Sequence, residues 1–399
     1  MTGPLARIGI LLSAESFEQF FEGELSLDAD AFVAGYRNDW SWGYCRALAE
    51  RGIEPVIYVA STRRDGLEHT PDGFAVRFLP IGRAYAPWVR VPALKRSPPG
   101  RFVAQGVSAA TLLGPLRRGI EDDDVDVLFV QEYWTARFDL LVSRLDVPVI
   151  AVDQGMRDRR EVKVLKRRTL PRARWVVTQT GAESEKVRRY GGRAVQVPNG
   201  VDTDHYSPDP VVEREPGLIV CAARLDDSQK RQSDLIRAVA LLDQPWRLEL
   251  IGTGPDERRL RALARELGVA ERVTFTGFLG NKDDVRQYFR RCTVFALASA
   301  FEGLPLALLE AMSCGAPAVG ADIPAIAEVI EDGVNGALVP LGSPERLAEG
   351  IATVGARREQ YSEAARDSIV RRFGADRMGT ELERLVRDAR TRATNEGPS

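Results

Sequence analysis

A chain of 399 residues, 44% hydrophobic and 28% charged, is long enough for two domains with full cores and has the composition of an ordinary globular protein. Its net charge of -2 gives no general attraction to nucleic acid or to an anionic membrane, and no nucleic-acid partner is expected. No apolar run approaches the roughly 20 residues of a membrane span, and Arg7 to Leu12 is too short and poorly flanked for a signal peptide, so a cytoplasmic location is expected. Cys45, Cys221, Cys292 and Cys314 are scattered without a C-x-x-C pair. With only His69 and His205 as imidazoles, neither a disulfide framework nor a metal site is expected.

Arg7 to Leu12 reads as a buried parallel strand. From Ser13 to Arg37 acids (Glu15, Glu18, Glu22, Glu24, Asp28, Asp30) alternate with Phe17, Phe20, Phe21 and Phe32, which suits either a functional connection or an amphipathic surface helix with solvated acids. A helix over Trp40 to Arg51 then leads through Gly52 to a strand over Pro55 to Ala60. Arg83 to Gly106, with many Pro, Gly and basic residues, reads as an irregular surface excursion. Val125 to Val130, Val147 to Val152 and Trp175 to Thr178 continue the parallel-sheet rhythm. The acids Glu121 to Asp126 enter a strand from its N-terminal side, so a solvated turn is expected there and not a metal-bound nucleotide sugar. The basic run Arg157 to Arg174 reads as a solvated helix face, with contact to acidic lipid headgroups as the minor reading.

Turn-formers from Pro198 to Pro216 mark a domain junction. A second alternation follows: strands Leu218 to Ala222, Arg247 to Ile251, Val273 to Thr276, Val294 to Leu297 and Ala318 to Gly320, with helices between them. The expected fold is α/β, two Rossmann-like doubly wound domains facing each other across a cleft. The boundaries are 1–200 and 201–374, with a helix over about 375–392 packing back on the first domain and 393–399 as an unstructured tail.

One stretch carries most of the chemistry. Between Phe301 and Pro317 the spacing predicts a helix from about Pro305 to Cys314, with Pro305 at the first helical position and Gly315 just past the end. Glu310 sits in the middle of this apolar helix and needs a hydrogen-bond partner, from a ligand or from a core arginine. Glu302 precedes it, and the free amides of Gly303 and Leu304 at the positive helix end suit an anionic ligand that carries hydroxyls. Arg224 follows a strand and Lys230 is expected to open the next helix, two cations able to neutralise a diphosphate. Gly252-Thr253-Gly254-Pro255 also follows a strand and admits close backbone approach. It lacks the third glycine of a dinucleotide fingerprint and the Lys-Ser/Thr of a P-loop.

Asn199-Gly200-Val201-Asp202, Arg224 with Lys230, Leu250 to Pro255, Val273 to Phe278 and Phe301 to Gly315, in that order, resemble the retaining family-4 glycosyltransferases of GT-B fold across essentially all of the C-terminal half. The resemblance implies an enzyme that moves a sugar from a nucleotide diphosphate sugar, a UDP- or GDP-sugar, to an acceptor hydroxyl, without a metal and by a front-face mechanism. It implies that Glu302 contacts sugar hydroxyls, Glu310 the ribose diol, Arg224 and Lys230 the diphosphate, Gly303, Leu304 and Gly252 the donor through backbone, and backbone around Phe278 the base. The first domain would bind the acceptor and the second the donor.

The N-terminal half departs from that pattern. Gly35-Tyr36 stands where members carry two adjacent glycines opening the first helix, Asp153-Gln154-Gly155 where a histidine turn is usual, and Glu132-Tyr133 where another histidine segment falls. The acceptor is therefore expected at Glu15, Gly35, Tyr36, Glu132, Asp153 and Gln154. With Glu18, the acids favour a small-molecule or glycan acceptor bearing an amine. Two alternatives stand beside this reading: a GT-B-like enzyme of another type, such as an epimerase or a C–N-forming transferase, and a non-catalytic nucleotide-sugar-binding protein.

Overall fold

The computed structural model describes residues 4–23, 25, 27–37, 39–82, 98–153 and 163–395. The chain divides into two compact units, Met1–Pro198 with Met378–Ser399, and Asn199–Arg377, each built on its own sheet.

Among the described residues the first sheet has eight strands: β1 (Ala6–Leu11), β2 (Ile53–Ser61), β3 (Gly66–His69), β4 (Ala75–Pro80), β5 (Val127–Gln131), β6 (Val149–Val152), β7 (Trp175–Thr178) and β8 (Ala194–Gln196). Their order is β3-β4-β2-β1-β5-β6-β7-β8, parallel throughout except for the hairpin of β3 and β4. The central strands are apolar on both faces, with Ile8, Ile10, Val127, Leu128 and Phe129 wholly buried, as a parallel sheet covered by helices on both sides requires. Fully burying each such side chain contributes about 1.5–3 kcal/mol.

Between β1 and helix Trp40–Ala49, the segment expected as an amphipathic surface helix is instead one turn of π-helix, Glu18–Glu22, and a short helix, Ala29–Gly35. Phe17, Phe21 and Phe32 turn inward and pack together, with ring centroids 5.0 Å apart for Phe17 and Phe21 and 4.7 Å for Phe21 and Phe32. Too many aromatic rings follow one another for a single helical stripe to bury, so the chain folds back on itself to make a small aromatic core. Gly35 closes a helix and does not open one. Tyr36 caps it, its ring stacked 5.5 Å from Phe32. Glu18 is not a solvated acid: its carboxylate accepts from the amides of Thr62 (3.0 Å) and Arg63 (3.2 Å) and from the Ser61 hydroxyl (2.5 Å), fixing the loop after β2.

Three other surface expectations are corrected. The excursion expected up to Gly106 is, from Pro98, a helix running to Asp122, while 83–97 lie outside the described residues. In the acidic turn, Asp123 is buried and accepts from the Tyr58 hydroxyl (2.9 Å) and from Arg77 Nε (2.7 Å). In the basic run, Lys166 on helix Lys163–Thr169 is wholly buried, while Arg167 and Arg168 are exposed. The Lys166 ammonium donates to Asp139 (2.7 Å) and to the Thr135 carbonyl (3.0 Å).

The second sheet has six parallel strands: β9 (Leu218–Ala222), β10 (Arg247–Ile251), β11 (Val273–Gly277), β12 (Val294–Leu297), β13 (Ala318–Ala321) and β14 (Gly336–Val339). They lie in the order β11-β10-β9-β12-β13-β14. This is the doubly wound order in which the crossovers reverse between the first strand and the fourth. Helix Leu306–Ser313 buries Leu308, Leu309, Ala311 and Met312 against the sheet. Pro305 is its N-cap, in extended conformation at φ -74 and ψ 104, and not its first helical residue. Gly315 takes the expected left-handed φ of 72 past the end. The last helix, Ala375–Asn395, enters the stretch 393–399 expected as a tail, and the Trp175 indole donates to its Asp388 (2.8 Å). Among the described residues, no helix is long and apolar enough to cross a membrane.

Candidate functional site

In an open parallel sheet, ligands gather at the carboxyl ends of the strands, where the crossovers reverse. In the second unit Arg224 and Lys230 follow β9, Gly252 follows β10, Phe278 follows β11, and Glu302, Gly303 and Leu304 follow β12. Lys230 and Glu302 thus straddle the reversal between β9 and β12.

Lys230 ends the short helix Asp227–Lys230 and does not open the next, because Arg231 takes a left-handed φ of 50 before helix Gln232–Leu241 begins. That left-handed step is uncommon for a residue with a side chain. Asp227 braces it, accepting from the Ser233 amide (2.7 Å) and hydroxyl (2.8 Å). The Lys230 ammonium donates to both oxygens of Glu302, at 2.7 and 2.8 Å. Two ties hold the segments that carry them: the Ala300 amide donates to the Gln229 carbonyl (2.7 Å), and the Gln229 side-chain amide to the Phe301 carbonyl (3.3 Å).

The loops after β9 and β10 are knitted together by the Ala223 amide on the Ile251 carbonyl and the Leu225 amide on the Thr253 carbonyl, both 2.9 Å. Gly252 has φ 134, and a Cβ there would stand 2.2 Å from the Ala223 carbonyl oxygen, so only glycine lets the two loops lie this close. Its amide donates to the Gly277 carbonyl (2.8 Å), which brings Phe278, 58% exposed, alongside. The Arg224 side chain is exposed, and its carbonyl accepts from the buried Gln232 (2.7 Å). Gln232 Oε1 and Ser299 Oγ are buried without a hydrogen-bond partner among the described residues, one acceptor and one hydroxyl left over beside β9 and β12.

Among the described residues Glu310 has no arginine partner of the kind a core ion pair would need. Burial pushes its carboxyl up, and the Lys282 ammonium and the Tyr206 hydroxyl oppose that shift. Tyr206 is buried, its carbonyl gripped by the Ser313 hydroxyl (2.6 Å) and Arg366 (2.8 Å). Sequence reasoning missed it, although it lies four residues beyond Asp202 in the quoted Asn199 to Asp202 segment. Gly303 is half-buried and Leu304 packs into the core.

In the first unit the reversal falls between β1 and β5. Glu15 lies in the turn after β1, Glu132 directly after β5, and Asp153 directly after β6. The β1 turn is held to its neighbour by the Ser13 amide on Gln131 Oε1 (2.9 Å) and by the buried Arg137, whose Nη1 donates to the carbonyls of Ser13 (3.2 Å) and Ala14 (2.8 Å). Glu132 has a left-handed φ of 62, a strained conformation that concentrates at functional sites. Gln154 lies outside the described residues, Tyr36 packs on the aromatic core described above, and Gly35 is exposed beside it.

A residue that no motif flagged, Glu183, meets Asp153. Its oxygens accept from the Tyr133 hydroxyl (2.9 Å) and the Gln179 amide (3.0 Å). Burial first, then its hydrogen bond and charge contact with Asp153, push its carboxyl up to about 9. Burial also pushes the Tyr44 hydroxyl up, and the Gln179 side chain opposes that shift. Among the described residues no group of three or more His, Cys, Asp or Glu is placed to hold a metal ion.

The two halves of the chain match two family models, "Glycosyltransferase Family 4" over residues 42–205 and "Glycosyl transferases group 1" over 216–356. The chain is 37% identical over 138 residues to a lipopolysaccharide 1,6-galactosyltransferase of Salmonella typhimurium, 34% of this chain and 38% of that protein. It is 27% identical over 302 residues to a phosphatidyl-myo-inositol mannosyltransferase of Mycobacterium leprae, 69% of this chain and 77% of that one. The match thus spans well under half of the galactosyltransferase's length. Among solved structures, the sucrose-phosphate synthase of Thermosynechococcus elongatus superposes with a TM-score of 0.76 at 16% identity, covering 96% of this chain and 98% of that one. HepE of Anabaena in complex with UDP-glucose superposes with a TM-score of 0.68 at 18% identity, covering 96% and 99%. The chain therefore has the two-Rossmann-domain architecture of the GT-B type, with one glycosyltransferase family model matched on each of its sheets.

Proposed function

We propose that the protein is a nucleotide-sugar-dependent glycosyltransferase that works without a metal ion and retains the configuration of the transferred sugar. The observation that carries this reading is the Lys230–Glu302 pair at the crossover reversal of the second sheet, beside the glycine-permitted approach of the β9 and β10 loops. Arg224 and Lys230 take the diphosphate and stabilise the charge it gains on leaving. Glu302 takes sugar hydroxyls, with the amides of Gly303 and Leu304 beside it. Glu310, steadied by Tyr206, takes the ribose diol, and Gly252 and the backbone at Phe278 close on phosphate and base. In the front-face step the bond from the anomeric carbon to the diphosphate oxygen breaks, and the acceptor oxygen bonds to the same face. The leaving diphosphate oxygen accepts the acceptor's hydroxyl proton.

The donor chemistry is supported by the two family matches and by relatives whose names specify galactosyl and mannosyl transfer. A UDP- or GDP-sugar is the donor we assign. The first unit takes the acceptor, around Glu15, Glu132 and Asp153. Glu18 is committed to loop amides, and the remaining acids suit an acceptor that bears an amine. Matched acceptors with and without the amine test that part, and equal turnover of both overturns it. The four buried, unpaired cysteines are in keeping with a reducing compartment, and we place the enzyme in the cytoplasm.

Thermal-shift measurement with UDP, GDP and ADP tests the donor site, because a ligand that binds only the folded chain raises its melting temperature by mass action. One of the three is to raise it, and Arg224→Ala or Lys230→Ala is to abolish the shift. In transfer assays the same variants are to lose on the order of 10²–10³ in rate. Rates within a few-fold of wild type would falsify their assigned role.

A further inference from the structure

The cation assigned to the diphosphate and the carboxylate assigned to the sugar are each other's partners. The Lys230 ammonium is shared between both oxygens of Glu302, and the side chains are only 17% and 7% exposed. This differs from a surface ion pair, in which two long side chains meet in water and gain little. The segments bearing the two groups are already joined by the Gln229 ties to Ala300 and Phe301, so the backbone sets the geometry of the pair. Opening such a pair and leaving one charge without a partner is costly.

A ligand that carries both a diphosphate and a sugar gives each member a new partner: phosphate oxygens for Lys230, sugar hydroxyls for Glu302. A free nucleoside diphosphate satisfies only Lys230 and leaves Glu302 as an unscreened carboxylate facing an anion. Resting on the donor-site reading above, we propose that the Lys230–Glu302 pair discriminates intact nucleotide sugar from the nucleoside diphosphate product and drives that product out. Once the sugar has moved to the acceptor, Glu302 competes with the diphosphate for the Lys230 ammonium. Glu302 thus favours release as well as holding the sugar.

Glu302→Gln keeps the shape and removes the charge. Isothermal titration of UDP, GDP and ADP into wild type and variant tests the proposal. Whichever nucleotide binds wild type is to bind Glu302→Gln roughly tenfold tighter, the effect of removing one nearby like charge from a partly buried site. Adding Lys230→Met is to erase most of that gain. The same nucleotide is also to become a stronger product inhibitor of the variant's residual turnover. Equal or weaker nucleotide binding by a folded Glu302→Gln overturns the proposal. Glu302→Met, also uncharged and unbranched, is the second variant should the first not fold, and the same outcomes apply to it. If wild type binds none of the three nucleotides, the donor-site reading itself fails and this inference goes with it. Binding of a nucleotide without a gain in the variant sinks only the inference.

Discussion

Glu183 and Glu310 are both partly buried carboxyls, and they differ in how they could be found. Glu310 interrupts an apolar helix pattern, so a sequence reader meets it as a contradiction that needs a partner. Glu183 occupies the third position of a helix capped by Thr180, a place where glutamate is ordinary, and nothing local marks it. Only the fold brings Asp153 against it from β6 and Tyr133 from the end of β5. Its carboxyl is raised from 4.5 to about 9, so its contribution to stability is fully present below pH 4.5 and is lost as pH rises through 9. Wild type is therefore to lose stability between pH 5 and pH 9, by up to about 1.4 kcal/mol per pH unit. Glu183→Gln, a neutral isostere, is to flatten the slope. Urea midpoints at pH 5, 7 and 9 check this, and parallel slopes for the two proteins would show that Glu183 does not hold the proton.

At the scale of elements, five of the six strands of the second sheet were legible as short runs, apolar throughout or alternating, between turn-formers. Arg247–Ile251 and Val294–Leu297 have the bounds expected of them. β3, β4, β8 and β14 escaped notice, β4 because Arg77 breaks its apolar run. β3 is a four-residue edge strand with no buried residue, β8 is three residues long, and β14 follows a turn-rich loop with only half its residues buried. Lys166 escaped for the opposite reason: eight other residues of the run are basic, and composition suggested a solvated face until Asp139 proved to lie beneath it. The junction of the β9 and β10 loops depends on one residue. Gly252→Ala is to destabilise the second unit by about 2–4 kcal/mol, because the left-handed φ and the Ala223 carbonyl both oppose a Cβ. Urea denaturation measures that loss. The thermal shift by nucleotide is to disappear with it, whereas an unchanged midpoint would mean the loop relaxes freely.

At the scale of the whole molecule, all the residues assigned to the donor lie within Asn199–Arg377 and all those assigned to the acceptor within the other unit. Hydrogen exchange with bound UDP or GDP is therefore to show protection at 223–231, 252–255, 277–281 and 299–311, and none at 13–15, 132–136 or 153. Protection confined to the first unit would reverse the assignment. The sequence by itself determined the α/β class, the existence of a second alternation after Pro198, and the residue types at the strand ends of the second sheet. Apolar runs, turn-formers and helix-end glycines act over a few residues, and their meaning does not depend on what lies across the fold. Strand order, and with it the crossover reversals, was decided only in three dimensions. So was the pairing of Lys230 with Glu302, 72 residues apart, and of Glu183 with Asp153, 30 apart. The sign and strength of a charge interaction depend on distance and burial, and neither can be read from separation along the chain.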